Sequence, residues 1–256
     1  MKKTLVILML AAIFALTGCS DDEENVLIMG TSADFPPFAF IADGGQGSWG
    51  QYDGIDVVIG VRVAEHMGKE LIVRDSEFGG LIMDLTTGTI DFISAAMTIR
   101  PDRAEQVTFS VPYFTAMQYI AVAGGNPHNV QTVQDLAGLY VGVQMGTTGD
   151  MFVTDNVAGA DVIRYNRISE AFMALRGGSI DAIVLDSAAV LMHVGTDGAL
   201  DIVRDNQAFE SEFYGLAVRH EDTELHAAIN QVIADMTASG ELVTLFDQFA
   251  DQLTED

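Results

Sequence analysis

Short apolar runs alternate along the chain with segments whose apolar residues recur at helical spacing. The apolar runs predict strands at Val26–Gly30, Leu71–Val73, Asp91–Ala95, Leu139–Gln144, Asp161–Tyr165 and Ala182–Asp186. The amphipathic segments predict helices at Asp56–His66, Leu81–Thr87, Ser169–Arg176, Ala188–Val194, Thr223–Ser239 and Glu241–Asp251, the first of them capped by Asp56. Apolar strands separated by helices are typical of parallel sheets that are covered on both faces, so the pattern predicts an α/β fold.

One part of this pattern occurs twice. Leu85–Asp91 and Leu175–Asp181 each contain a helix end, a glycine stop and an Ile-Asp pair that opens an apolar strand. The chain is therefore predicted to contain two similar halves. When the two copies are aligned, Ala96 at the end of the first strand corresponds to Asp186 at the end of the second.

Polar side chains follow these two strands at their carboxyl ends, which is the edge where open α/β sheets bind ligands. Thr98 and Arg103 come after the first strand, and Asp186 ends the second. A guanidinium can hold a carboxylate through two charge-assisted hydrogen bonds. If the halves face each other, a cation and an anion converge, which predicts a site for a zwitterion. Arg103 taken alone is equally compatible with a solvated arginine in a surface turn.

Other residues are placed near the same edge. Phe35 and Phe38 flank two prolines in a loop that leaves the first strand, and we expect one of them in the core and the other on the cleft wall. Phe78 opens the helix before the central strand. Thr148 lies in a glycine-threonine turn whose free N–H groups begin a helix, although such turns are common.

The amino terminus predicts export. Lys2 and Lys3 precede an apolar run that is too short to span a membrane, and Leu16-Thr17-Gly18-Cys19 resembles the bacterial lipobox, in which the cysteine is lipidated. A plain cleaved signal with a chance cysteine is the alternative. The predicted organisation is a signal peptide at 1–18, a tether at 19–25, lobe 1 at 26–121 and 217–256, and lobe 2 at 122–216.

Composition excludes several functions. The formal net charge of −25 argues against nucleic acid as a partner. Lys69, the only lysine after Lys3, has no phosphate-loop context, the five histidines are scattered, and the one cysteine is assigned to the anchor. We therefore expect no cofactor, no metal and no catalytic residue.

The ordered set of motifs resembles a known family. It comprises Gly30-Thr31 with Phe35-x-Pro37-Phe38, Gly54–Val57, Ile90–Arg103, Gly142–Gly149, Ile180–Asp186, Tyr214–Val218 and Gly240-x-Leu242. The chain resembles the extracytoplasmic solute-binding proteins of family 3, the polar amino acid receptors of ABC importers. The resemblance implies a two-lobed type II periplasmic-binding-protein fold with mostly parallel sheets and a two-strand hinge. It also implies a monomer, lipid-anchored outside the cytoplasm at Cys19, that delivers a free L-amino acid to an inner-membrane permease.

The resemblance also assigns roles to residues. Arg103 matches the arginine that holds the ligand's α-carboxylate, and Thr98 and Thr148 match residues that assist in binding this group. Asp186 matches the acceptor of the α-ammonium. Phe35 and Phe78 match the aromatic residues that sandwich the side chain, and Ala96, Ser32 and Gln144 complete the predicted site.

This chain departs from the family at the side-chain end of the site. Ser32, Gln144 and Leu185 replace charged or polar residues of relatives that bind glutamine or basic amino acids. We therefore expect neutral ligands to bind more tightly than cationic ones. The same fold serves cyclohexadienyl dehydratase, an enzyme, and sensor ectodomains, which remain the alternatives.

Overall fold

The computed structural model describes residues 25–195 and 198–252. The predicted signal peptide, Cys19 and the tether before residue 25 lie outside them. The strands are β1 Val26–Thr31, β2 Asp34–Phe35, β3 Ala39–Ile41, β4 Tyr52–Asp53, β5 Glu70–Asp75, β6 Phe92–Ile93, β7 Thr108–Phe109, β8 Phe114–Ala116, β9 Gln118–Ala123, β10 Tyr140–Gln144, β11 Asp161–Tyr165, β12 Ala182–Asp186, β13 Leu200–Val203, β14 Glu212–Tyr214 and β15 Ala217–Val218. The helices are α1 Ile55–Met67, α2 Leu81–Thr86, α3 Pro101–Ala104, α4 Thr148–Asn156, α5 Ile168–Arg176, α6 Ser187–Val194, α7 Thr223–Ser239 and α8 Glu241–Gln252.

Two sheets of five strands organise the described residues, one in each lobe. The first has the order β5-β1-β6-β15-β7, and the second has the order β11-β10-β12-β9-β13. Three neighbouring strands in each sheet are parallel, and the last two are antiparallel to their neighbours. The predicted α/β fold with two lobes and mostly parallel sheets is confirmed.

The internal repeat has a structural basis. Asp91 Oδ2 accepts a hydrogen bond from the backbone N–H of Ile28, and Asp181 Oδ2 accepts one from that of Tyr140, both over 2.8 Å. The preceding isoleucines also match, because Ile90 packs over Gly30 of β1 and Ile180 packs over Gly142 of β10. The Ile-Asp pair thus docks the central strand of each lobe against its neighbour.

The hinge consists of β8 and β14, which pair antiparallel with Tyr214 opposite Phe114. The two hinge strands continue into different sheets: β8 leads to β9 in the second sheet, and β14 leads to β15 in the first. All of β9 belongs to the second sheet, so the crossing precedes residue 118. The predicted lobe boundary after residue 121 divides this strand.

Two local predictions were wrong. Asp56 does not cap α1, since the helix begins at Ile55 after Gly54 and the Asp56 side chain turns inward. The segment around the two prolines is not only loop but contains β2, β3 and β4, which form a small sheet of their own. Phe38 from this segment is fully buried against Phe114 and Tyr214 of the hinge. One of Phe35 and Phe38 was expected in the core, and Phe38 takes that place.

Candidate ligand-binding site

A small cavity lies between the lobes, beyond the carboxyl ends of the parallel strands, and the space between its wall atoms, including the solvent at its mouth, is about 240 Å³. All but one of the residues predicted for the site line it: Phe35, Phe78, Ala96, Thr98, Arg103, Gln144, Thr148 and Asp186. Ala95 and Thr147, which were not predicted, complete the lining.

The remaining predicted residue, Ser32, is buried behind the cavity wall. Gln144 Nε2 donates to Ser32 Oγ over 3.4 Å, and Ser32 Oγ donates to Asp34 Oδ1 over 3.0 Å. Leu185 was expected near this end but lies in the hydrophobic core, because side chains alternate along β12 and Asp186 takes the cleft side. Gln144 therefore forms this end of the cavity, with Ser32 and then Asp34 behind it.

Arg103 is held rigidly beside the cavity. It lies in α3, whose first residue, Pro101, suits a position where the N–H would be unpaired. Its Nη1 donates to the Thr98 carbonyl over 2.8 Å, and its Nη2 donates across the cleft to the Gly146 carbonyl over 3.0 Å. The guanidinium also lies over the Phe78 ring, 5.4 Å from the centroid. The guanidinium has five N–H groups, so these bonds leave capacity for a carboxylate.

Arg103 stays charged at neutral pH although its surroundings lower its pKa. The side chain is only 4% exposed. Burial, with a smaller contribution from the nearby Arg100, lowers the pKa of Arg103 to about 10. The side chain is therefore a buried cation at neutral pH.

Asp186 supplies the opposite charge from the second lobe. It ends β12, where its Oδ1 accepts a hydrogen bond from Gln118 Nε2 over 2.8 Å. Burial and then the neighbouring Glu212 carboxylate raise the pKa of Asp186 to about 7. In the absence of a ligand, this carboxyl group is thus close to its midpoint of ionisation near neutral pH.

Glu212 is a second carboxylate beside the cavity that sequence reasoning missed. It lies in hinge strand β14, and its Oε2 accepts hydrogen bonds from Thr98 over 2.8 Å and from Thr148 over 2.7 Å. Gln118 Nε2 lies 3.2 Å from Glu212 Oε1 as well as close to Asp186. A sequence signal was present, because Tyr214 opens one of the motifs that carry the resemblance and Glu212, two residues earlier in an extended segment, lies on the same face.

The turn after β6 has an unusual backbone. Ala96 has φ of +47°, and the other non-glycine residues with positive φ in the described part of the chain are asparagines. An alanine in this conformation costs about 1–2 kcal/mol. Its N–H donates to Asp56 Oδ2 over 2.6 Å, and Asp56 Oδ1 accepts from the Tyr113 hydroxyl. Asp56 thereby connects the cavity turn to α1 and to the chain that enters the hinge.

The lobes also touch at the end of the cleft far from the hinge. Arg167 Nη1 donates to Asp75 Oδ1 over 2.6 Å and lies 3.7 Å from Asp34. Asn166 Nδ2 donates to Glu77 over 2.8 Å. These contacts join the two residues between β11 and α5 of the second lobe to β2, β5 and Glu77 of the first, so the cleft is closed in this structure.

A wider groove adjoins the cavity on the hinge side. It encloses about 900 Å³, including the solvent at its mouth, and shares Thr98 and Thr148 with the cavity. The groove is open, whereas the cavity holds the buried Arg103 and Asp186. We therefore place the candidate site in the smaller space.

Residues 25–195 and 198–252 contain no cluster of three or more histidine, cysteine or acidic residues arranged to hold a metal ion. Within the same residues, no helix combines the length and apolarity that crossing a membrane requires.

Comparison with known proteins identifies relatives along the described chain. The family described as bacterial extracellular solute-binding proteins, family 3, matches residues 27–252. The L-cystine-binding protein TcyJ of Escherichia coli is 32% identical over 89% of this chain and 83% of its own length. The arginine-binding extracellular protein ArtP of Bacillus subtilis is 31% identical over 96% of each chain.

Solved structures give the same picture. The arginine-bound form of truncated ArgBP from T. maritima is 40% identical, has a TM-score of 0.77 and covers 84% of this chain and 98% of that one. An ancestral arginine-binding protein bound to glutamine is 35% identical, has a TM-score of 0.80 and covers 88% of this chain and 97% of that one. The ancestral amino acid-binding protein AncCDT-1, a precursor of cyclohexadienyl dehydratase, is 30% identical, has a TM-score of 0.79 and covers 89% of this chain and 96% of that one.

Proposed function

Because the chain belongs to the bacterial extracellular solute-binding proteins of family 3 and is an amino-acid receptor of an ABC transporter, we propose the following binding mode for the ligand in its cleft. The α-carboxylate binds Arg103, and the α-ammonium binds Asp186. Thr98 and Thr148 assist, Phe35 and Phe78 flank the side chain, and Ala96, Gln144 and Ser32 shape the remaining wall.

One observation carries this proposal: a buried cation from the first lobe and a buried acid from the second line the same small cavity. Burying a charge is strongly unfavourable unless it is paired, and a zwitterion pairs both charges at once. The ligand also contacts both lobes, so it stabilises the closed cleft more than the open one.

We further propose that the receptor is anchored outside the cytoplasm by a lipid on Cys19 and acts as a monomer that docks on an inner-membrane permease. The lipobox-like sequence before Cys19 supports the anchor. Radiolabelled palmitate incorporation into wild-type protein but not into Cys19→Ala would test it. If the wild-type protein carries no palmitate label and is released from the membrane without detergent, the proposed anchor is contradicted.

A binding role without turnover is the second part of the proposal. The raised pKa of Asp186 favours the alternative of an enzyme, because a buried carboxyl near its midpoint can act as a general acid. A bound ammonium, however, favours the ionised carboxylate and removes that proton. We therefore expect no phenylpyruvate or phenylalanine from prephenate or arogenate. Product formation that disappears in Asp186→Asn would establish the enzyme instead.

Calorimetry against a panel of twenty L-amino acids tests the proposed function. We expect at least one of them to bind, and Arg103→Ala to weaken that binding strongly. Binding of sugars or oligopeptides, with no amino acid bound, would overturn it.

A further inference from the structure

The first turn of helix α5 begins at a residue that cannot cap it. α5 covers Ile168–Arg176, and Arg167 stands at its N-cap position without a side-chain hydrogen bond to the helix. The first N–H groups of a helix have no partner inside it, and a serine, threonine, asparagine or aspartate at the N-cap position ordinarily supplies one. An arginine side chain carries only donors, so this helix end needs an acceptor from another part of the chain.

The acceptor comes from the first lobe. Asp34 in β2 accepts hydrogen bonds through Oδ2 from the backbone N–H of Ser169 over 3.2 Å and from the Ser169 hydroxyl over 3.3 Å. Ser169 is the second residue of α5, and its N–H is one of those that an N-cap side chain binds. A carboxylate at this end also interacts favourably with the helix dipole. Asp34 thus takes the place of an N-cap residue from across the cleft.

Asp34 is held in position for this contact. Its Oδ1 accepts a hydrogen bond from Ser32 Oγ over 3.0 Å, and its side chain is 13% exposed. Arg167 Nη1 lies 3.7 Å from Asp34 Oδ1 but 2.6 Å from Asp75 Oδ1, so its closer partner is Asp75. The hydrogen bonds to Ser169 are therefore the closest link between Asp34 and α5.

Helix α4 of the same lobe shows the alternative arrangement. Its N-cap residue is Thr147, whose Oγ1 accepts a hydrogen bond from the backbone N–H of Asp150 over 3.3 Å. α4 carries its cap in its own sequence and keeps it in every position of the lobes. The cap of α5 depends on how close the first lobe lies.

We propose that Asp34 is a helix cap supplied in trans, which couples closure of the cleft to the order of the first turn of α5. Closure completes the helix end, and opening returns the N–H of Ser169 to water. The same two hydrogen bonds stabilise the closed cleft relative to the open one. This coupling needs closure but no particular ligand, so it is separate from the proposed binding mode.

Amide hydrogen exchange, followed for each residue by NMR, tests the coupling in wild type and in Asp34→Ala. An equimolar mixture of the twenty L-amino acids is the probe that closes the cleft, and it should slow exchange of the Ser169 N–H in the wild type. In the same mixture Asp34→Ala should speed this exchange about fivefold, the scale of a lost cap. Asp34→Asn keeps an acceptor of the kind that caps helices and should stay close to the wild-type rate.

Asp135→Ala is the matched control. Asp135 accepts a hydrogen bond from the backbone N–H of Thr132 and completes a capping box at the 3₁₀ turn Val133–Leu136, entirely within the second lobe. Its loss should speed exchange of the Thr132 N–H by the same amount with and without amino acids, and should leave Ser169 unchanged.

The inference is overturned if Ser169 exchanges equally fast in wild type and Asp34→Ala both with and without the mixture. It is also overturned if the mixture slows both proteins equally, since closure would then protect Ser169 without the cap. Exchange in Asp34→Asn as fast as in Asp34→Ala would show that charge, and not capping, makes the link. If calorimetry finds that no amino acid binds, the proposed function fails. The comparison without amino acids then decides the coupling, which faster exchange in Asp34→Ala supports and equal rates overturn.

Discussion

At the scale of single residues, the cleft combines one buried cation with two carboxylates. Arg103 is fixed by carbonyl oxygens from both lobes, whereas Asp186 and Glu212 share the amide of Gln118. The hydrogen bonds that Glu212 accepts come from neutral groups, namely Thr98, Thr148 and Gln118. The excess negative charge can be relieved by a proton or by the ammonium of a ligand.

Replacement of Arg103 tests the cation directly. Arg103→Ala is expected to weaken amino-acid binding by about 2–5 kcal/mol, because it leaves a buried carboxylate of the ligand unpaired. Calorimetry measures the loss, and thermal melting checks the fold. Arg100→Ala is the matched control, since Arg100 pairs with Asp102 at the surface. Binding by the Arg103 variant within a few-fold of wild type would make Arg103 a structural residue.

Proton release on ligand binding tests the role of Asp186. The pKa of Asp186 is raised from 3.8 to about 7, and a bound ammonium lowers it again, so binding near pH 7 should release protons and weaken as the pH falls toward 5. Calorimetry in two buffers with different ionisation enthalpies detects this release. An observed enthalpy that does not depend on the buffer would contradict it.

The same shift has a consequence for stability. The folded, ligand-free protein keeps a proton on Asp186 that the unfolded chain loses at lower pH. The contribution of this group to stability is therefore complete below pH 3.8 and is lost as the pH rises through about 7. Asp186→Asn removes this dependence. The free energy of unfolding of the variant minus that of the wild type should therefore increase from pH 5 to pH 8.

At the scale of elements, the two lobes use the same arrangement to pack the central strand. An isoleucine lies over a glycine of the neighbouring strand, and the following aspartate binds that strand's backbone. The two sheets therefore share a register, which is why Ala96 and Asp186 reach the same cavity. Asp56 adds a further link between α1, the turn at Ala96 and the hinge.

Substitution of a packed glycine tests this arrangement. A β-carbon at Gly142 would lie 2.5 Å from Ile180 Cδ1, so Gly142→Ala should destabilise the protein by about 1–3 kcal/mol through overpacking. Gly80→Ala is the matched control, because a β-carbon there meets nothing within 4 Å. Denaturant unfolding compares the two variants. Equal stability of both would show that Ile180 rearranges without cost.

At the scale of the whole molecule, the two lobes can move about a narrow hinge. In the described residues, β8 and β14 are the paired strands of the hinge, while the far end of the cleft is joined by polar contacts such as the pair between Arg167 and Asp75. Both members of this pair are about one-quarter exposed, at 26% and 24%, so solvent screening limits its strength. The contact is suited to adjusting closure rather than to locking it.

Removal of this contact should therefore speed ligand release. Arg167→Ala is expected to raise the dissociation rate by up to about fivefold, since a partly exposed ion pair contributes at most ~1 kcal/mol. Stopped-flow fluorescence measures the rate. Arg62→Ala is the control, because Arg62 pairs with Glu241 within the first lobe. An unchanged rate in Arg167→Ala, or an equal change in both variants, would show that the contact does not hold the cleft closed.

The amino-acid pattern alone was enough to predict the main elements and the repeat, because apolar periodicity, glycine stops and the Ile-Asp pair act between near neighbours in the chain. Most residues of the cavity wall were instead predicted from the resemblance to the family. The lining of the cavity by Arg103 and Asp186 followed from the aligned copies, although their roles toward a ligand stay a prediction. The tertiary structure decided what depends on distant segments. It brought Glu212 from the hinge to Thr98 and Thr148, turned Leu185 into the core, buried Asp56 beneath Ala96 and left Gln144 Oε1 without a donor, because such contacts arise only when both lobes are packed together.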